Sequence, residues 1–190
     1  MVELKQVRLC GFGGQGIILA GVILGYAAIS DGKWVAGSSS YGAQARGGYA
    51  RSDVVISEEP IVFPHVIEAD ILIAMAQTAY ERYIEDSTTD AVVLFDEGMV
   101  SPRTLDGVKQ VGISATSCAI EELDQKQVAN IVILGAAVAI TGVVSKEALV
   151  SAIKENVDER FRDLNLKTVE AGFALGGERW RLLEGRTGQS

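Results

Sequence analysis

The fold is decided near the start of the chain, where residues 7–29 are VRLCGFGGQGIILAGVILGYAAI. Val7–Cys10 is a short apolar run that stops at Gly11, as a buried parallel strand does where it meets its turn. Gln15–Ile29 is apolar on almost every face, which predicts a helix enclosed within the fold. A strand, a glycine turn and a helix in this order are typical of the first unit of an α/β domain.

Two more runs of strand length lie in the middle of the chain. Asp70–Ala76 is apolar after its first residue, and Ala91–Phe95 is a continuous apolar run. The polar stretch Thr78–Asp86 between them predicts a surface helix, so the three form a β-α-β unit. Further strands are predicted at Trp34–Gly37, Arg51–Ser57 and Val108–Ser114, and helices at Val128–Thr141, Lys146–Val157 and Leu164–Leu183. Ser145 is the predicted N-cap of the second of these helices.

A hairpin insertion is expected in the first half of the sheet. Pro60 and Pro64 bracket the apolar piece Ile61–Phe63, which we interpret as the antiparallel partner of Arg51–Ser57. The predicted fold is one α/β domain spanning the whole chain: a three-layer, Rossmann-like, mostly parallel sheet with an antiparallel hairpin insertion and C-terminal helices closing one side. Only residues 185–190 are predicted to form a disordered tail.

Composition argues against several classes of function. The net charge of −8 and the pI near 4.7 disfavour a nucleic-acid-binding protein, whose phosphate contacts need clustered lysine and arginine. Cys10 and Cys118 form no CxxC pair, so this chain alone is not expected to hold an iron–sulfur cluster or a zinc ion. With no signal-peptide pattern, and with Ile131–Val144 too short to cross a bilayer, we expect a cytoplasmic protein without membrane contact. The hydrophobic content of 48% suggests apolar surface hidden against partners.

The segment Gly11–Gly16 satisfies the pattern G-x-G-x-x-G between a strand and a helix. Glycines let a ligand approach the backbone, and the first N–H groups of the helix favour an anion. A dinucleotide site also needs an acid about 20 residues later, where this sequence has Ser38–Tyr41, and Asp31 precedes the second strand. A bound dinucleotide, a contact with phosphate or coenzyme A, and a purely structural turn therefore all stay open.

A long loop rich in serine and glycine is predicted at Ser38–Gly48. In a parallel α/β sheet the loops that leave the strand C-termini line the ligand crevice, so this loop is expected beside the glycine turn. Arg46 and Arg51 could bind a carboxylate or a phosphate, with Gly47 and Gly48 admitting the ligand. The alternative is that both arginines pair with surface acids of this acidic protein.

These motifs together resemble one family. GFGGQG at residues 11–16, SYGAQARGG at residues 40–48 and ARSDVVIS at residues 50–57 are similar, in kind and order, to the gamma subunits of 2-oxoacid:ferredoxin oxidoreductases. The resemblance is strong over roughly the first half of the chain, and the helical C-terminal part fits it without adding a signature. Within the family, the glycine segment and the arginine pattern look more like the 2-oxoglutarate branch than the pyruvate branch.

The resemblance implies a subunit of an enzyme that oxidatively decarboxylates a 2-oxoacid to its acyl-coenzyme A and reduces ferredoxin. It implies thiamine diphosphate between alpha and beta subunits, iron–sulfur clusters on a ferredoxin-like delta subunit, and a gamma subunit that holds no cofactor alone and performs no chemistry. Gamma would help assembly and complete the region where coenzyme A reaches the intermediate. The positions that match the family pattern are Gly11, Gly13, Gly14, Gln15, Gly16, Tyr41, Gly42, Arg46, Gly47, Gly48 and Arg51.

The other candidate residues have simpler interpretations. His65 is expected to be structural or on the surface, and Cys10 a small buried hydrophobe. Asp96 and Glu97 are interpreted as solvated turn residues, and Trp180 as part of a helix face packed on the core rather than an anchor for a partner. Two other functions stay open: a stand-alone NAD-dependent oxidoreductase that uses the glycine turn, and a non-enzymatic interaction module.

Overall fold

The structure, a computed structural model, describes residues 4–42 and 48–187. The strands are β1 (Leu4–Phe12), β2 (Trp34–Tyr41), β3 (Tyr49–Ser57), β4 (Ala69–Ala74), β5 (Ser87–Asp96) and β6 (Lys109–Ile113). The helices are α1 (Ile17–Ser30), α2 (Gln77–Tyr83), α3 (Ala115–Glu121), α4 (Ala129–Thr141), α5 (Lys146–Asn156) and α6 (Glu159–Thr187). α6 takes in the first three positions of the tail predicted at 185–190, and 188–190 lie outside the described residues.

The six strands form one sheet in the order β2-β3-β1-β4-β5-β6. β1 pairs in parallel with β4, β4 with β5, and β5 with β6, whereas β3 runs antiparallel to both of its neighbours. The mostly parallel α/β sheet with an antiparallel insertion is confirmed. The antiparallel member is β3, inserted between β1 and β2, which would otherwise be adjacent parallel strands.

The prediction that Ile61–Phe63 forms the hairpin partner of β3 is wrong. Ile61–Phe63 is not a strand, because Pro60 and Pro64 cannot donate backbone hydrogen bonds to a ladder. Ile61 instead packs over the sheet beside the buried Val55. The actual partners of β3 are β2 and β1.

The prediction of a long loop at Ser38–Gly48 is also wrong for the first part of that segment. β2 continues to Tyr41, with Ser38 opposite Asp53 and Ser40 opposite Arg51. Backbone pairing with β3 holds these small polar residues extended, although their side chains carry no strand pattern. The connection between the two strands is therefore short and lies at residues 42–48.

The helices form layers on both faces of the sheet. α1, α3, α4 and α5 contribute buried side chains to the larger core, against which α6 also packs, and α2 covers the opposite face. α4 is the buried helix predicted for the most apolar segment, and the predicted N-cap is confirmed because the Ser145 hydroxyl accepts a hydrogen bond from the Ala148 N–H (3.1 Å). Within residues 4–42 and 48–187, no helix combines the length and apolar character needed to cross a membrane.

α4 and α6 pack backbone against backbone through glycines. A Cβ atom on Gly172 would lie 2.3 Å from the Val132 carbonyl oxygen and 3.1 Å from Gly135 Cα. One on Gly176 would lie 2.7 Å from the Ala136 carbonyl oxygen. The long C-terminal helix is therefore seated on the core by positions that admit no side chain.

Candidate functional site

The two glycine-rich motifs meet at the C-terminal ends of β1 and β2. Phe12 pairs with Tyr49 across the sheet, and the Gly13 N–H donates to the Gly48 carbonyl at 2.8 Å. At the other end of the same connection, the Gly42 N–H donates to the Tyr49 carbonyl at 2.6 Å. The described ends of the connection that leaves β2, Gly42 and Gly48, thus lie beside the turn that leaves β1, as expected from the rule for strand ends.

The glycine turn depends on close contacts that only glycine allows. Gly14 has φ of 95° and Gly16 has φ of 70°, in the left-handed region. Gly16 precedes α1, and its carbonyl accepts a hydrogen bond from the Asn130 side chain on α4 at 2.9 Å. A Cβ atom on Gly16 would lie 2.4 Å from the same amide nitrogen. The turn therefore docks the start of α1 onto the start of α4.

The Gln15 side chain closes the crevice under the turn. Its Oε1 accepts from the Phe12 N–H at 2.6 Å, and its Nε2 donates to the Met75 carbonyl at 2.8 Å. A Cβ atom on Gly11 would lie 2.5 Å from this Oε1, so Gly11 makes room for the amide. The crevice between β1 and β4 is where the sheet order reverses and where ligands usually bind in such folds. Here the Gln15 amide bridges the ends of the two strands.

Three N–H groups of the turn already donate hydrogen bonds within the protein. The N–H groups of Phe12, Gly13 and Gln15 already donate to protein acceptors, which are respectively Gln15 Oε1, the Gly48 carbonyl and the Phe12 carbonyl. A phosphate-binding turn needs such N–H groups pointing at its ligand. These three N–H groups are therefore not free to bind an anion.

A small cavity lies next to the turn at the same end of the sheet. It has a volume of about 150 Å³ and is lined by Gly14, Gln15, Met75, Thr116, Lys126 and Gln127. Sites for whole organic cofactors usually measure about 300–1,000 Å³. This cavity can therefore take a group the size of a phosphate, but not a dinucleotide.

Beside the motifs, a cluster of arginines surrounds one tyrosine ring on the α2 face. The guanidinium carbons of Arg8, Arg51 and Arg82 lie 5.1, 5.6 and 5.7 Å from the Tyr83 ring centre. Asp53 pairs with two of them, at 2.9 Å from Arg8 Nε and 3.3 Å from Arg51 Nε. Burial by itself lowers the pKa of the Arg8 guanidinium, but its hydrogen bond to Asp53 and the negative charge there outweigh burial and raise that pKa.

Arg51 and Arg82 occupy different positions in this cluster. The Arg51 side chain is 33% exposed and pairs with an acid, as the alternative interpretation expects, but this acid, Asp53, is buried rather than on the surface. Arg82 is exposed and lies 5.2 Å from the Tyr49 ring, next to the 42–48 connection. Among residues 4–42 and 48–187, no carboxylate forms a salt bridge with Arg82. Sequence patterns give no signal for Arg82, because it lies on the outer face of a short helix.

The remaining residues of the two motifs differ in how they are placed. Tyr41 is 70% exposed at the end of β2. Arg46 and Gly47 lie outside the described residues. The structure therefore joins the glycine turn to the two ends of the connection and to Arg51, and it leaves the hypothesis about Arg46 as a prediction.

Most of the weaker candidates have the predicted environments. Cys10 is fully buried, which raises the pKa of its thiol to about 12, and His65 is exposed beside Phe63. Trp180 packs against the core under Lys109. Over the described ranges, histidine, cysteine and acidic side chains nowhere form a group able to hold a metal ion.

The interpretation of Asp96 as a solvated turn residue is wrong. Asp96 is fully buried and accepts hydrogen bonds from the Gly98 N–H (3.2 Å), the Thr116 N–H (3.1 Å) and the Thr116 hydroxyl. The carboxylate joins the turn after β5 to the first turn of α3. The sequence patterns do not reveal this link. Glu97 is exposed and pairs with Arg179 at 2.7 Å.

The contact between Gly16 and Asn130 can be tested against a neighbouring glycine. Gly14→Ala and Gly16→Ala both place a side chain at positive φ, but only at Gly16 does the new Cβ meet another residue. We expect Gly16→Ala to lower the free energy of unfolding by about 1 kcal/mol more than Gly14→Ala does. Urea titration followed by circular dichroism measures both. Equal losses would show that α1 and α4 are not docked through this contact.

Comparison with known proteins agrees with this architecture. Residues 6–175 match the family described as pyruvate ferredoxin/flavodoxin oxidoreductase. The chain is 46% identical to the 2-oxoglutarate synthase subunit KorC of Methanocaldococcus jannaschii over 177 residues, which is 92% of this chain and 95% of that protein.

Two solved structures share the fold. The gamma subunit of a keto/oxoacid ferredoxin oxidoreductase from Geobacter sulfurreducens has a TM-score of 0.80 at 40% identity, over 90% of this chain and 98% of that one. The 2-oxoglutarate:ferredoxin oxidoreductase of Magnetococcus marinus has a TM-score of 0.84 at 24% identity, over 93% of this chain and 31% of that one. The fold thus occurs as a separate chain in the first and as part of a longer chain in the second. The chain described here belongs to the pyruvate ferredoxin/flavodoxin oxidoreductase family, as a gamma subunit of a 2-oxoacid:ferredoxin oxidoreductase.

Proposed function

We propose that this gamma subunit serves a thiamine-diphosphate-dependent enzyme that converts 2-oxoglutarate to its acyl-coenzyme A and reduces ferredoxin. In this proposal alpha and beta subunits hold thiamine diphosphate, a ferredoxin-like delta subunit holds the iron–sulfur clusters, and this chain performs no chemistry. Its part is to help assembly and to form the coenzyme A side of the active site. The identity of 46% to a 2-oxoglutarate synthase subunit supports the choice of substrate.

One observation carries the proposed role: Gln15 bridges the crevice where ligands usually bind in this fold and leaves a cavity of only about 150 Å³, while guanidinium groups gather on the surface beside it. A domain with that arrangement is suited to meet an anionic ligand at its surface rather than to enclose a cofactor. The same observation gives no support to the NAD-dependent alternative, since the cavity of about 150 Å³ beside Gln15 is too small for a dinucleotide. The proposed cofactor-side positions are Gly11, Gly13, Gly14, Gln15, Gly16, Tyr41, Gly42, Arg46, Gly47, Gly48 and Arg51, to which we add Arg82.

Reconstitution tests the proposed function. The other subunits, purified with and without this chain, are assayed for reduction of ferredoxin with 2-oxoglutarate or pyruvate, coenzyme A and thiamine diphosphate. We expect turnover to fall at least tenfold without this chain and to be faster with 2-oxoglutarate. An unchanged rate would favour the interaction module, and oxidation of a substrate by the isolated chain, or tight binding of NADH by it, would contradict the proposal.

Arg82 tests the coenzyme A side of the site. Loss of one exposed charge-assisted hydrogen bond costs about 1 kcal/mol, so Arg82→Gln is expected to raise the apparent KM for coenzyme A about fivefold, with the KM for 2-oxoglutarate unchanged. Arg103→Gln is the matched control, because Arg103 is also an exposed arginine but pairs with Glu85 away from the motifs. Equal effects of the two variants would remove Arg82 from the proposed site. The same assay with Arg46→Ala tests the prediction made for that residue.

A further inference from the structure

α1 and β2 together form an exposed surface without a single charged residue. Residues 17–30 and 34–41 contain no Asp, Glu, Lys or Arg, in a chain that has 17 basic and 25 acidic residues. On α1, Leu19, Val22, Tyr26 and Ile29 are 43–56% exposed, and their spacing of three and four residues places them along one side of the helix. This side of the molecule therefore presents an apolar stripe to the surroundings.

A groove runs between this stripe and the sheet edge. It has a volume of about 360 Å³, and its walls include Val22, Tyr26 and Ile29 from α1 and Val35, Gly37 and Ser39 from β2. The helix lies close to the sheet because a Cβ atom on Gly21 would meet the Ser52 hydroxyl at 2.0 Å. The groove thus has an apolar wall on the side of α1, a wall of small residues on the side of β2, and a floor of β3 residues.

β2 is an edge strand without protection against pairing. It has β3 on one side and, among the described residues, no strand on the other. Proteins usually guard such edges with lysine, proline, a bulge or a very short strand. β2 has eight residues, no charge and no proline, and it pairs with β3 in an unbroken register from Trp34 to Tyr41. Nothing in its sequence prevents β2 of one molecule from pairing with β2 of another.

We propose that this surface binds a second copy of the chain, through antiparallel pairing of the two β2 strands about a twofold axis. The pairing joins the two sheets into one of twelve strands. Both α1 helices then lie on the same face, with their apolar stripes facing each other across the axis. The absence of charge in the contact is what allows two molecules of net charge −8 to meet there. This inference is independent of the proposed function.

Sedimentation equilibrium of the full chain tests the proposal. We expect a species with twice the chain mass of 20.2 kDa at chain concentrations of about 1–100 μM. Val22→Lys places an unpaired charge in the contact and is expected to raise the dimer dissociation constant at least about 100-fold. Ile120→Lys is the matched control, since Ile120 is a similarly exposed apolar residue on α3, at 48%. It should leave the dimer unchanged.

Salt and hydrogen exchange separate this contact from other associations. A charge-free contact should not weaken when salt rises from about 0.1 to 1 M, where the screening length falls from about 10 to 3 Å. Amides of β2 that point away from β3 should be protected in the dimer and exchange on dilution. A monomer throughout the concentration range, a dimer that Val22→Lys leaves intact, or a dimer that salt dissolves would each overturn the proposal. A monomer whose Val22→Lys variant no longer joins the other subunits would assign the surface to one of them instead.

Discussion

Replacement of Asp53 by asparagine is expected to lower the free energy of unfolding by about 3 kcal/mol. The Asp53 and Arg8 side chains are only 6% and 4% exposed, and the carboxylate accepts from Arg8 Nε at 2.9 Å and from Nη2 at 3.2 Å. Without the negative charge, the buried guanidinium keeps as acceptors the asparagine amide oxygen, the Val66 carbonyl and Asp86, of which only the half-exposed Asp86 is charged. A stranded charge in the interior costs more than the pair itself contributes, because it has been removed from water.

Two variants isolate the cause of that loss. Glu85→Gln removes a carboxylate from the exposed pair with Arg103 and should cost less than about 1 kcal/mol. Combining Arg8→Met with Asp53→Leu removes both charges and should recover most of the stability lost in Asp53→Asn. Urea denaturation followed by tryptophan fluorescence measures all three. An Asp53→Asn variant as stable as Glu85→Gln would contradict the assignment of a buried ion pair.

Gly172→Ala is expected to destabilise the fold by about 2 kcal/mol, although alanine normally favours a helix over glycine by about 1 kcal/mol. The new methyl group would lie 2.3 Å from the Val132 carbonyl oxygen of α4, so the two helices must move apart. A backbone oxygen in a helix cannot relieve the clash by bond rotation, as the end of a flexible side chain can. The loss should appear in the midpoint of thermal unfolding.

The control for this effect lies on the same helix. A methyl group added at Gly177 would have no described atom within 4 Å, so Gly177→Ala should stabilise the chain by up to about 1 kcal/mol. The two alanine substitutions thus carry opposite signs. A stabilising Gly172→Ala would show that α4 and α6 do not pack backbone against backbone.

Much of the fold is predictable because several of its strands appear in the sequence as apolar runs. The runs at 70–76 and 91–95 are buried on both faces of a parallel sheet, so local hydrophobicity locates them. The end of β2 is not predictable in this way, because Ser38–Ser40 owe their extended form to pairing with β3. The ion pair of Arg8 and Asp53 also cannot be predicted from local sequence, because the two residues face each other only when β3 is inserted beside β1.

The meeting of the two motifs at one edge of the sheet is predictable from the rule for strand ends, and the structure agrees. The contributions of Asn130 and Met75 to the turn are not, because they lie more than 50 residues away along the chain. The burial of Asp96 escapes prediction because a pair of acids after a strand usually faces solvent, and here the carboxylate holds the start of α3.

Gln15 and Gly11 form a coupled pair, because the amide occupies the volume that a side chain at position 11 would need. Neither position can vary alone: a methyl group at 11 expels the amide, which breaks the link from β1 to β4. A smaller residue at 15 leaves that link unmade and an opening between the strands. In related chains the two sites should therefore change together, and an alanine at 11 should be accompanied by a shorter residue at 15.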